Sequence, residues 1–366
     1  MLTLLVTTVM SLICTRTVLG ADTPNTGTLS DYLTSAQASA TAAAAGDPHQ
    51  MDDYDLFDDD DRGLTADSLV PYLPTSKLVI QGIIQRHDTY DTSTRNQSAF
   101  EGNSLAYVTP WNNHGYDVVK TFRGKFTHVS PVWYSLRGLG DHFRLDGGHD
   151  VDEGWMGEVR EPLDNGFSAK ILPRVLFAEW QEQDYVQLVQ NPKVEAMVLE
   201  RLVDEVLSHE FDGIVLEIAS PSLFIRFITR LAGALRREMR DLILVIQPPR
   251  PSDPKGMPVF SREHFNQLKD VLAGFSLMTY DFSVQTPGPN SPLKWVKESV
   301  EQLDPDPESP YRAKIFTGLN FYGIDFTNRQ RIPIIGRSFA SHACFQCAFF
   351  DAFIDKRLEF IGPLRA

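Results

Sequence analysis

From Ser104 onward the chain alternates between short apolar runs and amphipathic stretches. The runs are SLAYVTPW (104–111), FTHVSPVWYSL (126–136), AKILPRVLF (169–177), FDGIVLEI (211–218), LILVIQPP (242–249), GFSLMTYDF (274–282) and AKIFTGLNFYG (313–323). Each is short enough for a buried strand, and most carry Pro, Trp or Tyr in their second half. Between them, Tyr185–Ser208, Ser222–Met239 and Leu293–Leu303 repeat apolar residues at helical spacing. Strands alternating with helices predict a parallel sheet built by right-handed crossovers. Seven strands in one series favour an α/β fold of the (β/α)8 TIM-barrel type over a short doubly wound sheet. In such a barrel functional groups gather at the C-terminal strand ends, where Trp111, Trp133, Glu217, Tyr280, Asp281 and Tyr322 fall.

The amino-terminal part reads differently. Residues 1–20 hold an apolar run, Leu2 to Cys14, too short to span a bilayer, with small residues before Ala21; this predicts a signal peptide and a secreted or lysosomal protein. Residues 21–65 are expected to form a disordered acidic linker, because a Thr/Ala/Ser run and an Asp cluster bury too little apolar surface to offset ordering entropy. The barrel is assigned to 66–336 and a divergent tail to 337–366. No later stretch predicts a membrane span.

Charge narrows the partners. The formal net charge is −14, and nine Asp against one Arg between Asp47 and Asp67 supply −8 of it, leaving −6 elsewhere. A surface of that sign argues against nucleic acid. Asp58 to Leu69 superficially matches a calcium loop, but Arg62 stands at a ligand position and no Glu closes it. His114, His128, His142 and His149 lack metal-ligand spacing, and no phosphate-binding Gly-rich loop occurs, so neither metal nor cofactor is expected. Cys344 and Cys347 form a CxxC outside any redox fold. Asn96-Gln97-Ser98 is a candidate glycosylation site if the chain is secreted.

Three runs carry a resemblance. FDGIVLEI resembles the fourth-strand signature of glycoside hydrolase family 18, Asp-Gly-x-Asp-x-Asp-x-Glu. Met278–Phe282 resembles the family's sixth-strand Met-x-Tyr-Asp, and Gly318–Gly323 its seventh-strand pattern. The resemblance implies a chitinase-like barrel and a substrate-assisted reaction. In that reaction the sugar's N-acetyl oxygen is the nucleophile, one carboxylic acid protonates the leaving oxygen, and a neighbouring Asp orients the acetamide.

Alternate residues of a strand share a side, which explains the spacing of the acids. Anchored on Asp212-Gly213, the signature positions here are Val215, Glu217 and Ala219. The proton donor's place is taken by Ala219, and losing a general acid costs a factor of ~10²–10⁴. The expectation is therefore a lectin for chitooligosaccharides or related glycans, not an enzyme by the standard route. Trp111, Trp133, Tyr280 and Tyr322 would stack on sugar faces, while Glu217, Asp281 and Asn320 would hydrogen-bond hydroxyls. Asp212 is expected to hold backbone or a neighbouring side chain, and Trp155, Trp180 and Trp295 to pack. Two alternatives stay open: a weak glycosidase using Glu217, and a scaffold bound by a scavenger-type receptor with a vestigial groove.

After Gly336 the family's eighth strand and closing helix have no counterpart in RSFASHACFQCAFFDAFIDKRLEFIGPLRA. The expectation is a barrel lacking its last strand and helix, through truncation, splicing or misjoined exons; the alternative is a cover improvised by Cys344–Ile354.

Overall fold

The computed structural model describes residues 89–140, 142–250, 253, 259–283, 288–325 and 332–335. The segments expected to form a signal peptide, an acidic linker and a divergent tail lie outside the described residues, as does the CxxC.

The elements run in order β1 (Leu105–Val108), α1 (Asn113–Thr121), β2 (His128–Pro131), β3 (Tyr134–Gly138), β4 (Phe143–Asp146), α2 (Glu153–Arg160), β5 (Lys170–Ile171), β6 (Arg174–Ala178), α3 (Glu182–Gln190) and α4 (Pro192–Ser208). They continue with β7 (Gly213–Glu217), α5 (Ile225–Arg237), β8 (Asp241–Ile246), α6 (Arg262–Leu268), β9 (Gly274–Leu277), α7 (Leu293–Leu303), β10 (Ile315–Thr317), β11 (Tyr322–Asp325) and β12 (Ile332–Ile335).

Two predicted strands are interrupted at prolines. The second becomes β2 and β3 on either side of Val132-Trp133, the third β5 and β6 on either side of Leu172-Pro173. Proline has no N–H to give to a ladder, so regular pairing stops there. Backbone bonds carry the sheet across both gaps: Val132 N–H donates to Val108 at 2.8 Å, Leu172 to Val129 at 2.9 Å, and Val215 to Pro173 at 3.0 Å. Seven strand positions therefore follow one another in chain order, β1, β2/β3, β5/β6, β7, β8, β9 and β10, all parallel. The antiparallel additions are β4 on β3 and the β11–β12 hairpin.

The sheet is apolar on both faces. Ile214, Leu216 and Leu244 pack outward against the helices, while Val215, Ile243 and Val245 join Leu172 in a separate inner cluster with Tyr107, Met278 and Phe316. The ends of the sheet curl towards each other: Tyr107 on β1 donates its hydroxyl to Ser276 Oγ on β9 at 2.8 Å, and the rings of His128 on β2 and Phe316 on β10 lie 5.8 Å apart. This is a (β/α)8-type barrel in which, among the described residues, no strand fills the eighth position between β10 and β1.

Local sequence explains the helices. In α5, Phe227, Ile228, Leu231, Ala232 and Leu235 are buried on one face. The predicted single helix Tyr185–Ser208 is instead two: Asn191 ends α3, caps α4 through Lys193 N–H, and Pro192 opens α4. Asp152 caps α2 in the same way. Trp155, Trp180 and Trp295 are all buried, as expected, and their indole N–H groups donate to the carbonyls of Tyr116, Leu136 and Pro249. Among the described residues no helix is long and apolar enough to cross a membrane.

Candidate functional site

The fourth strand position anchors the site. Asp212 stands just before β7, where its Oδ2 accepts from Ile171 N–H at 2.8 Å and from Arg160 Nη2 at 2.9 Å. It ties the strand's entry to its neighbour, the structural role expected of it. Gly213 has φ +152°, and a Cβ there would lie 1.9 Å from the Asp241 carbonyl oxygen. The Asp-Gly pair thus fixes the position of β7 by a carboxylate clamp and a close backbone approach.

Further along β7, Val215 lies in the inner apolar cluster. Glu217, the strand's last residue, shares its side and is 5% exposed. Ala219 lies beyond the strand in a bend, partly buried against the outer core, and Ser220 follows at φ +49°. The carboxylate of Glu217 meets Arg174 of β6, whose Nη1 is 3.1 Å from Oε2. This is a charge contact out of line for a hydrogen bond: Glu217 Oε2 and Arg174 Nε both lack a hydrogen-bond partner. Arg174 is 8% exposed and pairs in register with Val215. Sequence reasoning passed over it, although a charged residue two positions after the inward Leu172 in an apolar strand is itself a signal.

The sixth and seventh positions bring the second group. Tyr280 and Asp281 follow β9, and Tyr280 lies against Gly318, where a Cβ would come 2.7 Å from the ring. Asp281 has φ +58°, a costly conformation for a residue other than glycine. Asn290 holds it there, accepting from Asp281 N–H at 2.9 Å and donating to its Oδ1 at 3.3 Å. The Tyr322 hydroxyl donates to Asp281 Oδ2 at 2.7 Å, and the Tyr280 and Tyr322 rings meet edge to face at 6.4 Å. Asn320 donates to the Tyr322 carbonyl.

The two groups are near enough to act on each other electrically. Burial pushes the phenols of Tyr107 and Tyr280 well above the usual range; the charge of Glu217 pushes each further up, and that of Arg174 pulls each down. Burial and then the Asp281 carboxylate raise the Tyr322 phenol. Glu217, Tyr280, Asp281, Tyr322 and Asn320 therefore gather at the C-terminal ends of the strands, joined by Tyr107, Arg174 and Ser276. An arrangement of phenols, carboxylates and one guanidinium around an apolar barrel interior can hydrogen-bond hydroxyls and offer ring edges and faces to a sugar.

Two predicted stacking residues fare differently. Trp111 is 49% exposed in the turn after β1, free to meet a ligand. Trp133 is not at the site. It is 5% exposed in the outer core, its indole N–H donates to the Tyr116 hydroxyl at 2.8 Å, and its ring packs edge-on to Trp155 at 5.9 Å. The physical reason is alternation: Trp133 lies four residues after the outward Val129, and both belong to the outer cluster. Asn96 is partly buried in a turn at the other end of the barrel, with its Oδ1 enclosed. Two hollows open at that end, of about 320 and 380 Å³, the first lined by His128, Lys170 and Asp241 at strand starts and the second by Asn96. Neither adjoins Glu217. Among the described residues no three His, Cys, Asp or Glu side chains converge as a metal site would require.

Comparison with known proteins agrees with this architecture. The structure is similar to a class V chitinase from Pseudomonas fluorescens, with a TM-score of 0.54 and 19% identity over 67% of this chain and 75% of that one. It is also similar to the spore cortex-lytic enzyme of Bacillus megaterium, with a TM-score of 0.51 and 16% identity over 67% of this chain and 57% of that one. A family 18 chitinase from Flavobacterium johnsoniae gives a TM-score of 0.50 and 17% identity over 68% of this chain and 77% of that one. At these identities the likeness concerns the fold. The family model for glycosyl hydrolases family 18 matches residues 149–346, more than half of the chain. With the Asp-Gly clamp, the Tyr-Asp pair and the parallel barrel already in hand, that match assigns the chain to glycosyl hydrolase family 18.

Proposed function

We propose that this chain is a chitinase-like lectin that binds oligomers of N-acetylglucosamine, or related glycans, without cleaving them by the substrate-assisted route. The observation that carries the reading is on the fourth strand. Glu217 is its sole inward carboxylate, it faces Arg174, and the residue at the proton donor's position is Ala219. A methyl group has no proton to give, and an acid committed to a guanidinium is poorly placed to replace it. Binding by contrast needs aromatic surface and a few polar groups, which Tyr280, Tyr322, Asp281 and Asn320 supply, with Trp111 as a rim residue. Calorimetric titration with N-acetylglucosamine oligomers tests this: Tyr280→Ala should abolish the heat of binding, and unchanged binding by that variant would refute the site.

One observation favours a second reading. Glu217 is inward and beside Tyr280, so a weak glycosidase could use it. Turnover of a fluorogenic N-acetylglucosamine oligomer that disappears in Glu217→Gln would establish that enzyme and displace the lectin.

Within the family, YVTPWNNHGYDV, SPVW, HDVDEGW, PGPN and KIFTGLNFYGIDF resemble chitinase domain-containing protein 1, also called stabilin-interacting chitinase-like protein. We place the chain in that branch. With the amino-terminal run, this supports a secreted or lysosomal protein, which cell fractionation tests.

A further inference from the structure

The end of the barrel away from Glu217 carries a surface that the candidate sugar site does not use. Its hollow of about 380 Å³ is lined by the triplet Asn96-Gln97-Ser98 and by the apolar side chains of Phe100, Leu163 and Phe167. Phe100 is 66% exposed, whereas Leu163 and Phe167 are partly buried. The turn that carries the triplet is held from two sides. Gln97 N–H donates to the Thr94 carbonyl at 2.9 Å, and Lys125 Nζ donates to the Gln97 carbonyl at 2.8 Å. Ser98 Oγ accepts from Phe100 N–H at 3.2 Å and donates to the Phe100 carbonyl at 2.9 Å, which ties the aromatic residue to the triplet. The Asn96 amide is oriented too. Its Oδ1 is enclosed and unpaired. Its Nδ2, the atom to which a sugar would be joined, makes no hydrogen bond among the described residues and is not one of the enclosed atoms. An exposed phenyl ring, two further apolar side chains and an accessible amide nitrogen thus surround one ligand-sized hollow, a setting suited to the flat CH face of a single sugar.

We infer that Asn96 is an N-glycosylation site whose first N-acetylglucosamine folds back into this hollow and packs on Phe100, so that the attached sugar is a structural part of the barrel's far end. The donor is an oligosaccharide linked to a lipid diphosphate. Nδ2 forms a bond to C1 of the sugar, and the C1–O bond to the diphosphate breaks. The diphosphate leaves with that electron pair, and Nδ2 gives up one proton. The inference rests on the secreted or lysosomal reading, because that donor belongs to the secretory route. It is independent of what the opposite end of the barrel binds. The sugar covers apolar surface of Phe100 that the chain by itself leaves in water. Glu101 and Asn165 line the same hollow and can hydrogen-bond its hydroxyls. Ser98 therefore has two tasks: it completes the triplet, and it holds Phe100 beside the modified residue.

The test is a thermodynamic cycle between the sugar and the ring. The full chain is expressed with its own amino-terminal run in a mammalian cell line, and the secreted protein is mapped by peptide mass. The peptide containing Asn96 should carry a glycan. Three forms are then compared in thermal unfolding: with the whole glycan, trimmed to one N-acetylglucosamine by an endoglycosidase, and stripped by an amidase acting on the folded protein. The first two should unfold together and the third about 2–4 °C lower. Asn96→Gln provides the sugar-free chain by a second route. In Phe100→Ala the difference between sugar-bearing and sugar-free forms should shrink below about 1 °C, because the sugar has lost its ring. A glycan that acts only by its bulk in solvent would give the same difference with and without Phe100. That result, or a trimmed form that unfolds with the stripped one, would overturn the inference. A folded, secreted chain unmodified at Asn96 would also overturn it while leaving the secreted reading intact. A chain retained in the cytosol without any glycan would fail the secreted reading, and the inference with it.

Discussion

At the residue scale the fourth-strand signature has separable parts, and they give separable predictions. Gly213 is required by space and backbone together: a methyl group at φ +152° would sit 1.9 Å from the Asp241 carbonyl oxygen. Gly213→Ala should cost more than about 3 kcal/mol in urea unfolding, because the new atom meets backbone that cannot move aside. Asp212→Ala removes an acceptor from Ile171 N–H and Arg160, and should cost about 1–3 kcal/mol while leaving glycan affinity unchanged. A large loss of affinity at equal stability would instead put Asp212 in the site. The role of Asp212 was legible because strand spacing puts it at the entry, whereas the close backbone approach at Gly213 was not. Arg174 was less legible, since AKILPRVLF reads first as an apolar strand and its partner Glu217 lies 43 positions away in sequence.

At the element scale, the series of strands and helices was readable from alternating periodicities, whereas the faces of individual residues were not. Trp133 follows a strand and was placed with the sugar-stacking group on that ground. By alternation Trp133 shares the side of Val129, which is the helix side. Trp133→Phe should therefore cost about 1–2 kcal/mol of stability through the lost bond to Tyr116 and the smaller ring, with no change in glycan affinity. Weaker sugar binding by a variant of unchanged unfolding midpoint would contradict the core position. The break at Asn191-Pro192 had a sequence signal, a cap residue followed by proline, that the long apolar periodicity concealed. The strand β10 was read too long. Its regular pairing ends at Thr317, so Asn320 and Tyr322 reach the site from the segment beyond, through the bond from Tyr322 to Asp281.

At the scale of the whole molecule, pairing is uneven. β7 and β8 have partners on both sides, whereas β1 pairs with β2 alone and β10 with β9 alone among the described strands. Hydrogen exchange should reflect this, with amides of β7 and β8 exchanging slowest and those of β1 and β10 orders of magnitude faster. Equal protection across all seven strand positions would contradict this uneven pairing among the described strands. Stability should also depend on pH through buried histidine. Burial first, then the charge of Lys170, holds His128 below its ordinary value of 6.5, and burial does the same to His264. The unfolded chain takes up protons near 6.5 while the folded chain resists, so stability is lost as pH falls through that value. The urea midpoint should drop between about pH 7.5 and about pH 5.5, and by less in His128→Gln. A midpoint that rises on acidification would contradict the assignment.

Binding without cleavage is the claim on which the functional account turns, and native mass spectrometry of the protein incubated with an N-acetylglucosamine hexamer tests both halves at once. The account predicts a complex at the mass of protein plus intact hexamer, undiminished after prolonged incubation. Shorter oligomers accumulating in solution or on the protein, or no complex at all from folded protein, would contradict it.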